Sequence, residues 1–157
     1  MNKKYIKKEE LNDYSEIILK TKKEEIGTLT FSIIKKEEIL GLNIDLEEST
    51  KLKIEKLDLI YLIDYLDIKK EFQNQENGKI LMNELIKYLK GKKQNIAIYI
   101  NVSPLDNNID LKRLYNFYKS FGFNTIKKYK TNISLISYNV SKLKLIKLKS
   151  KKNKIIF

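Results

Sequence analysis

The most informative part of the sequence is Ile68-Lys69-Lys70-Glu71-Phe72-Gln73-Asn74-Gln75-Glu76-Asn77-Gly78-Lys79-Ile80-Leu81-Met82. It follows a long apolar run, Leu57 to Ile68, which is typical of a central strand covered on both faces. Apolar residues then recur every four positions from Leu81 to Leu89, which predicts a helix from about Gly78 to Lys90. Gly91 supplies the left-handed end of that helix. The stretch therefore predicts a strand, a turn and a helix in succession.

Downstream of this unit, alternating apolar residues predict a strand over Ile96–Val102, which ends before Pro104. A second helix is expected from Asp110, a good N-cap, to Phe121, with Gly122 ending it. Two short strands follow, and the ranges that predict them are Phe123–Lys128 and Ile133–Val140.

Upstream, the pattern is that of an antiparallel meander. β-branched and alternating residues predict strands over Ser15–Lys22, Ile26–Ile34 and Ile39–Leu46. No helical pattern is evident between the last of these and Leu57. With the elements that follow, this predicts an α/β (α+β) fold with a mixed, mostly antiparallel central sheet flanked by helices. The chain has no internal repeat and no linker, so a single domain is expected.

The composition narrows the chemistry. The chain has no cysteine and no histidine, which excludes disulfides, thiolate nucleophiles, Cys/His zinc sites and imidazole bases, and no metal site is predicted. The net charge is +12, and the part from Lys127 to Phe157 holds ten lysines and no acidic residue. That local charge would attract an acidic partner or the phosphates of a cofactor, although a solvated basic tail gives the same pattern.

Two segments together resemble the signatures of the GNAT N-acetyltransferases. Gln73 to Lys79 is similar to the Gln/Arg-x-x-Gly-x-Gly/Ala turn that follows a central strand and opens a helix. Some forty residues later, Leu114 to Phe123 resembles the helix that ends in Tyr-x-x-x-Gly-Phe. The order, the separation and the predicted contexts all agree, which makes the pair moderately specific.

The resemblance implies an acetyl-CoA site. A turn that feeds a helix N-terminus directs main-chain N–H groups and the positive end of the helix dipole at one place, which suits a diphosphate. The residues that would contact the cofactor there are Gln73, Asn74, Gln75, Glu76, Asn77, Gly78 and Lys79. The main chain near Leu66 and Ile68 would pair with the pantetheine arm and polarise the thioester carbonyl.

The turn departs from the family pattern at two positions. Glu76 stands where the family has its first glycine, and Asn74 replaces a frequent glycine two residues earlier. A carboxylate about 5 Å from a phosphate would cost about 3 kcal/mol at an effective dielectric constant near 20, and much less if it turned to solvent. A catalytically degenerate GNAT protein is therefore an alternative.

Two residues are candidates for proton transfer. Tyr118 aligns with the tyrosine that protonates the departing thiolate in much of the family, and the alternative is that it only packs in the core. Some relatives have a glutamate that acts as the general base at the position of Leu62. Since leucine cannot accept a proton, the nearest carboxylate on this strand is that of Asp64. A buried Asp64 would have a raised pKa suited to a base; a salt-bridged Asp64 or a water molecule are the alternatives.

The function expected from the sequence is acetyl transfer from acetyl-CoA to a primary amine, of a small molecule or a protein, by direct attack. The alternative is nucleic-acid or ribosomal-protein binding through Lys127–Phe157, where Tyr129 and Tyr138 could stack on bases. Residues 1–141 would form the acetyltransferase domain and residues 142–157 a lysine-rich strand or tail, for which a membrane-surface role ranks last.

We expect a cytoplasmic protein without a membrane span. A homodimer is left open. The loops that bind the acceptor are expected in Lys35–Leu57 and around Pro104–Asn108.

Overall fold

The computed structural model describes residues 3–103 and 110–149 and the main chain of residues 155–156. The predicted acceptor loop at Pro104–Asn108 lies outside these residues. The strands are β1 (Lys4–Glu10), β2 (Ser15–Lys20), β3 (Glu25–Ile33), β4 (Leu59–Ile68), β5 (Ile96–Val102), β6 (Asn124–Lys128), β7 (Ile133–Ser137) and β8 (Ile155–Ile156). The helices are α1 (Lys36–Leu42), α2 (Glu48–Glu55), α3 (Asn77–Lys90) and α4 (Leu111–Lys119), and two short 3₁₀ turns cover Lys70–Phe72 and Val140–Lys142.

The chain forms two compact units, each assembled from separated stretches. The first comprises the described residues of Met1–Ser32, Ile63–Gly91 and Leu145–Phe157. The second comprises those of Ile33–Leu62 and Lys92–Lys144. Since the chain passes from one unit to the other four times, they are not consecutive domains, in agreement with the single domain expected. The proposed boundary between residues 141 and 142 stays a prediction.

The first unit is built on an antiparallel meander. β1 pairs with β2 and β2 pairs with β3, both antiparallel, and β8 lies parallel to β1. α3 packs against β2 with an apolar face that is completely buried. The residues of that face are Ile80, Leu81, Met82, Leu85, Ile86 and Leu89. The predicted helix is confirmed, and its core position explains the four-residue spacing.

The second unit combines parallel and antiparallel pairing. β4 pairs with β5 in parallel from Leu59 to Leu62, β5 pairs with β7 antiparallel, and β7 pairs with β6 antiparallel. Its core contains Ile39, Ile54, Ile60, Ala97, Tyr99 and Ile136, with α1 and α2 contributing one fully buried isoleucine each. Most ladders in the two units are antiparallel, so the predicted mixed, mostly antiparallel architecture is confirmed.

The prediction of a strand over Ile39–Leu46 was wrong, and so was the expectation that no helix precedes β4. α1 and α2 occupy this region. The residues that are buried here are Ile39, Asn43 and Leu46, whereas Leu42 and Ile44 are exposed. Of the buried residues, only Ile39 lies within α1, whereas Asn43 is its C-cap residue and Leu46 follows the helix, so the alternating leucines and isoleucines did not mark a buried face of a strand. The amide of Asn43 is satisfied inside the core, because it donates to Ile39 O (2.9 Å) and Tyr99 Oη (3.1 Å).

Three smaller expectations also need correction. Gly91 is right-handed (φ −64°), and the left-handed residue after α3 is Lys93 (φ 53°). The second half of β4 is not covered on both faces, since Tyr65 and Asp67 are exposed. β1 was not predicted, because most of its residues are lysines and glutamates, as in many edge strands, and the alternation of apolar and polar residues is weak. Within the described residues, no helix is long and apolar enough to cross a membrane.

Gly27 in β3 allows the close approach of the end of β4. A Cβ atom at this position would lie 2.5 Å from Ile68 Cδ1 and 2.7 Å from the main-chain oxygen of Asp67. Since a main-chain atom cannot move aside cheaply, we expect Gly27→Ala to lower the free energy of unfolding by about 1–3 kcal/mol. Urea denaturation measures this change. Gly41→Ala is the control, because nothing lies within 4 Å of its Cβ position in α1, and it should leave stability unchanged or slightly raised.

Candidate cofactor-binding site

The candidate site begins where β4 ends. The N–H of Lys69, the first residue after β4, donates to Ile26 O in β3 (2.9 Å), which fixes the end of the strand against its neighbour. The side chain of Gln73 then donates through Nε2 to Ile68 O (3.0 Å). This bond ties the turn to the end of the strand. The side chain of Gln73 therefore helps to hold the turn, as does its main-chain N–H, which donates to Lys70 O (3.3 Å).

The turn holds two residues in left-handed conformation. Asn74 has φ 63° and Glu76 has φ 65°, and these are the two positions where the sequence lacks the expected glycines. The main chain has therefore kept the conformation that glycine would adopt. Asparagine tolerates it well, whereas a glutamate there costs about 1–2 kcal/mol. A cost of this kind is typical of functional turns, where the surrounding contacts hold the main chain in place.

The turn leads directly into α3, whose N-cap residue is Glu76. The side chain of Glu76 makes no capping hydrogen bond to the first turn of this helix. The buried Asn77 instead donates through Nδ2 to Phe72 O (2.8 Å) and accepts from Lys4 Nζ through Oδ1 (2.8 Å). The first N–H groups of a helix have no acceptor within the helix itself, and the helix dipole favours an anion at this end of α3.

Positive charge surrounds this end of the helix. Lys4 Nζ lies at Asn77, and Lys79 Nζ lies 3.8 Å from Glu76 Oε1. Burial lowers the pKa of Lys4, and the negative charge of Glu76 works in the opposite direction. Glu76 Oε1 also accepts the main-chain N–H of Lys149 (2.8 Å). Neither Lys4 nor Lys149 was expected here from the sequence, since both are distant along the chain.

Asp64 lies on β4, four residues before its end. Its Oδ2 atom is shielded from solvent and has no hydrogen-bond partner among the described residues, although the residue as a whole is half-buried. Burial raises the pKa of Asp64, and a hydrogen bond from the Ser32 side chain offsets part of that effect. No ion pair to Asp64 is found in the described part of the chain. An aspartate with these properties can accept a proton nearer to neutral pH than an exposed one.

Leu66 and Ile68, which were predicted to present their main chain to the cofactor, lie on the same half of β4 and are half-buried. The parallel ladder between β4 and β5 runs only from Leu59 to Leu62. Asp64, Leu66, Ile68 and the turn from Gln73 to Lys79 all belong to the first unit. The structure thus brings these predicted residues onto one strand and the turn that follows it.

Tyr118 belongs to the second unit. It is 5% exposed, and its ring meets Phe117 and Phe123 edge-on at centroid distances of 5.0 and 6.3 Å. Burial raises the pKa of Tyr118 well above its usual range. The aromatic contacts account for its place in the hydrophobic stripe of α4. As an acid it is weaker than an exposed phenol, which makes the expected role more demanding than the sequence implied.

A second tyrosine of α4 was missed by the sequence analysis. Tyr115 lies one turn before Tyr118, and its Oη is 2.9 Å from Thr125 Oγ1. That hydrogen bond lowers the pKa of Tyr115, assisted by the charges of Lys128 and Lys119. Lys128 Nζ lies 4.7 Å from the centre of the Tyr115 ring. Its helical spacing from Tyr118 was visible in the sequence, but its partners on β6 were not.

Comparisons with known proteins rest on structure alone. No protein-family model and no curated protein matches the sequence. A PaiA N-acetyltransferase from Thermoplasma acidophilum, solved with coenzyme A, superposes with a TM-score of 0.53 at 16% sequence identity. The superposition covers 80% of this chain and 61% of that protein. FeeM, an N-acyl amino acid synthase from uncultured soil microbes, gives 0.57 at 14% identity, with 82% of this chain and 68% of that one covered.

NAA60 from Arabidopsis thaliana, solved with a bisubstrate analogue, gives a TM-score of 0.54 at 18% identity, covering 81% of this chain and 76% of that chain. At such low identity these likenesses concern the fold. They confirm the prediction of a GNAT N-acetyltransferase fold, which the two sequence signatures had indicated.

Proposed function

We propose that this chain, which has the GNAT N-acetyltransferase fold, transfers an acetyl group from acetyl-CoA to a primary amine. The observation that carries the proposal is the turn between β4 and α3. Its main chain is left-handed at both positions where this chain lacks a glycine of the family, and it feeds a helix whose N-cap residue, Glu76, makes no side-chain capping hydrogen bond. A similar fold solved with coenzyme A supports the choice of cofactor.

In this proposal the cofactor binds along β4 and the turn. The main-chain N–H groups from Asn74 to Lys79 hold the diphosphate, and the helix dipole adds to the attraction. The pantetheine arm pairs with the main chain of Leu66 and Ile68, beyond the end of the β4–β5 ladder at Leu62. A main-chain N–H of this half of β4 donates to the thioester oxygen, where negative charge develops during the reaction.

The reaction needs no covalent enzyme intermediate. The neutral amine attacks the thioester carbon, the C–N bond forms, and the C–S bond breaks as the carbonyl is restored. The nitrogen loses one proton and the sulfur gains one, so the products are an amide and the free thiol of CoA. Binding both reactants together supplies most of the rate through proximity, which suits a chain without cysteine or histidine.

Asp64 is the proposed base that takes the proton from the nitrogen. Its shielded Oδ2 atom has a free lone pair in the described residues, and its raised pKa makes it a better proton acceptor than an ordinary aspartate. Tyr118 is the proposed donor of the proton to sulfur. A thiol has a pKa of about 8.5, so the thiolate of CoA leaves readily and needs little help from a weak acid.

The test is release of free CoA thiol from acetyl-CoA, followed with a thiol reagent, in the presence of candidate amines. Two classes suffice at first: short peptides with a free N-terminal amine and small aliphatic amines. Thiol release that depends on both acetyl-CoA and one amine class supports the proposal and identifies the acceptor class. Absence of acetyl-CoA binding would reject it.

A second candidate, a degenerate GNAT-fold protein that binds nucleic acid, is favoured by one observation. No acidic residue occurs after Asp110, and the described segment 111–149 carries ten lysines and arginines. Part of the proposed surface, Lys127–Phe157, lies outside the described residues. Binding of an RNA oligonucleotide that weakens steeply with salt, without turnover of acetyl-CoA, would favour this candidate over the enzyme.

A further inference from the structure

The C-terminal segment, defined here as residues 145–149, follows α3 toward its N-terminus. The side chain of Asn83 holds the segment at Ile146 with two bonds: Nδ2 donates to Ile146 O (2.8 Å), and Oδ1 accepts from Ile146 N (2.9 Å). Three residues later, the N–H of Lys149 donates to Glu76 Oε1 (2.8 Å). The segment is therefore attached to α3 at two points, and the second is the N-cap residue of the helix.

The second attachment decides where the Glu76 carboxylate lies. A short acidic side chain at an N-cap, that of aspartate, normally accepts an N–H group of the first helical turn. Glu76 makes no such bond. Its carboxylate is directed at the N–H of Lys149 and at Lys79, and its side chain is only 15% exposed. The C-terminal segment thus offers the carboxylate a partner away from the first amides of α3.

This arrangement bears on the cofactor because Glu76 stands at a glycine position of the diphosphate turn. A carboxylate that faced the diphosphate would repel it, and the repulsion would be worth about tenfold to a hundredfold in affinity. We propose that the C-terminal segment is a positioning element of the cofactor site: the main-chain N–H of Lys149 holds Glu76 away from the diphosphate. This inference rests on the proposed function.

The main-chain N–H of Lys149 and the charge of its side chain can be removed separately. Lys149→Pro removes the N–H, whereas Lys149→Ala keeps it and removes the charge. We expect Lys149→Pro to weaken acetyl-CoA binding about tenfold, and Lys149→Ala to weaken it no more than about twofold, as measured by calorimetry. Adding Glu76→Gln to Lys149→Pro should restore the affinity, because the repelling charge is then absent.

Salt supplies a readout that a merely structural role would not give. If Lys149→Pro acts by releasing a charge, the gap between it and wild type should narrow as ionic strength rises. Asn83→Leu is a second variant, which detaches the segment at Ile146 and should weaken binding in the same direction. Circular dichroism and thermal melts establish that each variant is folded before its affinity is compared.

Two results would overturn the inference. One is equal acetyl-CoA affinity of Lys149→Pro and Lys149→Ala, and the other is a weak Lys149→Pro that Glu76→Gln does not rescue. Failure of the proposed function looks different: neither wild type nor Glu76→Gly would then bind acetyl-CoA, and the inference would fall with it.

Discussion

Gly78→Trp is expected to weaken acetyl-CoA binding at least about 100-fold. Gly78 is the second residue of α3 and lies in the turn whose amides are proposed to hold the diphosphate. An indole there would fill the space in front of the helix N-terminus. Losing two charge-assisted hydrogen bonds costs about 3 kcal/mol or more, which corresponds to two decades of affinity. Calorimetric titration with acetyl-CoA measures the loss.

Gly41→Trp is the matched control. Nothing lies within 4 Å of a Cβ atom at Gly41, so a side chain at this position of α1 starts in open space, and the residue belongs to the second unit. Its affinity for acetyl-CoA should stay within about twofold of wild type. Equal affinity of the two variants would mean that the cofactor does not bind at the β4–α3 turn.

Asp64→Asn should lower kcat/KM about 100-fold, the usual contribution of a general base. The base acts in its ionised form, and burial raises the pKa of Asp64, so the wild-type rate should fall on acidification at a pH above the ordinary aspartate range. The variant should lack this limb of the pH profile. Protonation of the acceptor amine gives a separate limb at higher pH, which both proteins should share.

Stability separates this effect from misfolding. Because the pKa of Asp64 is higher in the folded state, its stabilising contribution is present at low pH and lost as pH rises through the folded-state value. Asp64→Asn should therefore be at least as stable as wild type at neutral pH. Asp67→Asn is the control on the exposed side of β4, with activity within about twofold of wild type. An Asp64→Asn enzyme with full activity would assign proton removal to water.

Local patterns were sufficient for most of the elements near the site. The four-residue repeat from Leu81 to Leu89 placed α3 within one residue of its observed start, and the alternation of Ile96–Val102 gave β5. Asp110 caps α4 as predicted, since its side chain accepts the N–H of Lys112 (3.0 Å). In each case the buried face and the local propensity agree, so the sequence pattern alone carried the information.

The hydrophobic pattern gave a wrong prediction in the region of α1, where apolar residues are exposed and a polar residue is buried. Leu42 and Ile44 are apolar but exposed, whereas the polar Asn43 is 1% exposed, and its partners come from β5 and from Tyr129. A buried asparagine is recognised only through such contacts, which are remote in sequence. The helix α1 was missed for this reason.

Only part of the candidate site could be predicted from the sequence. The turn and its glycine-like positions followed from the resemblance, and the concern about Glu76 followed from charge. What directs that carboxylate is a main-chain N–H 73 residues away, which no spacing rule could supply. Tyr118 shows the reverse: its position matched the signature, while the burial that raises its pKa came only with the fold.

The most direct test of the central claim is to titrate the 15N-labelled protein with acetyl-CoA and follow the main-chain amide signals. We expect saturable shifts for the amides from Gln73 to Lys79, with smaller ones near Leu66 and Ile68. Binding without shifts in this turn, or shifts confined to the basic segment 111–149, would contradict it.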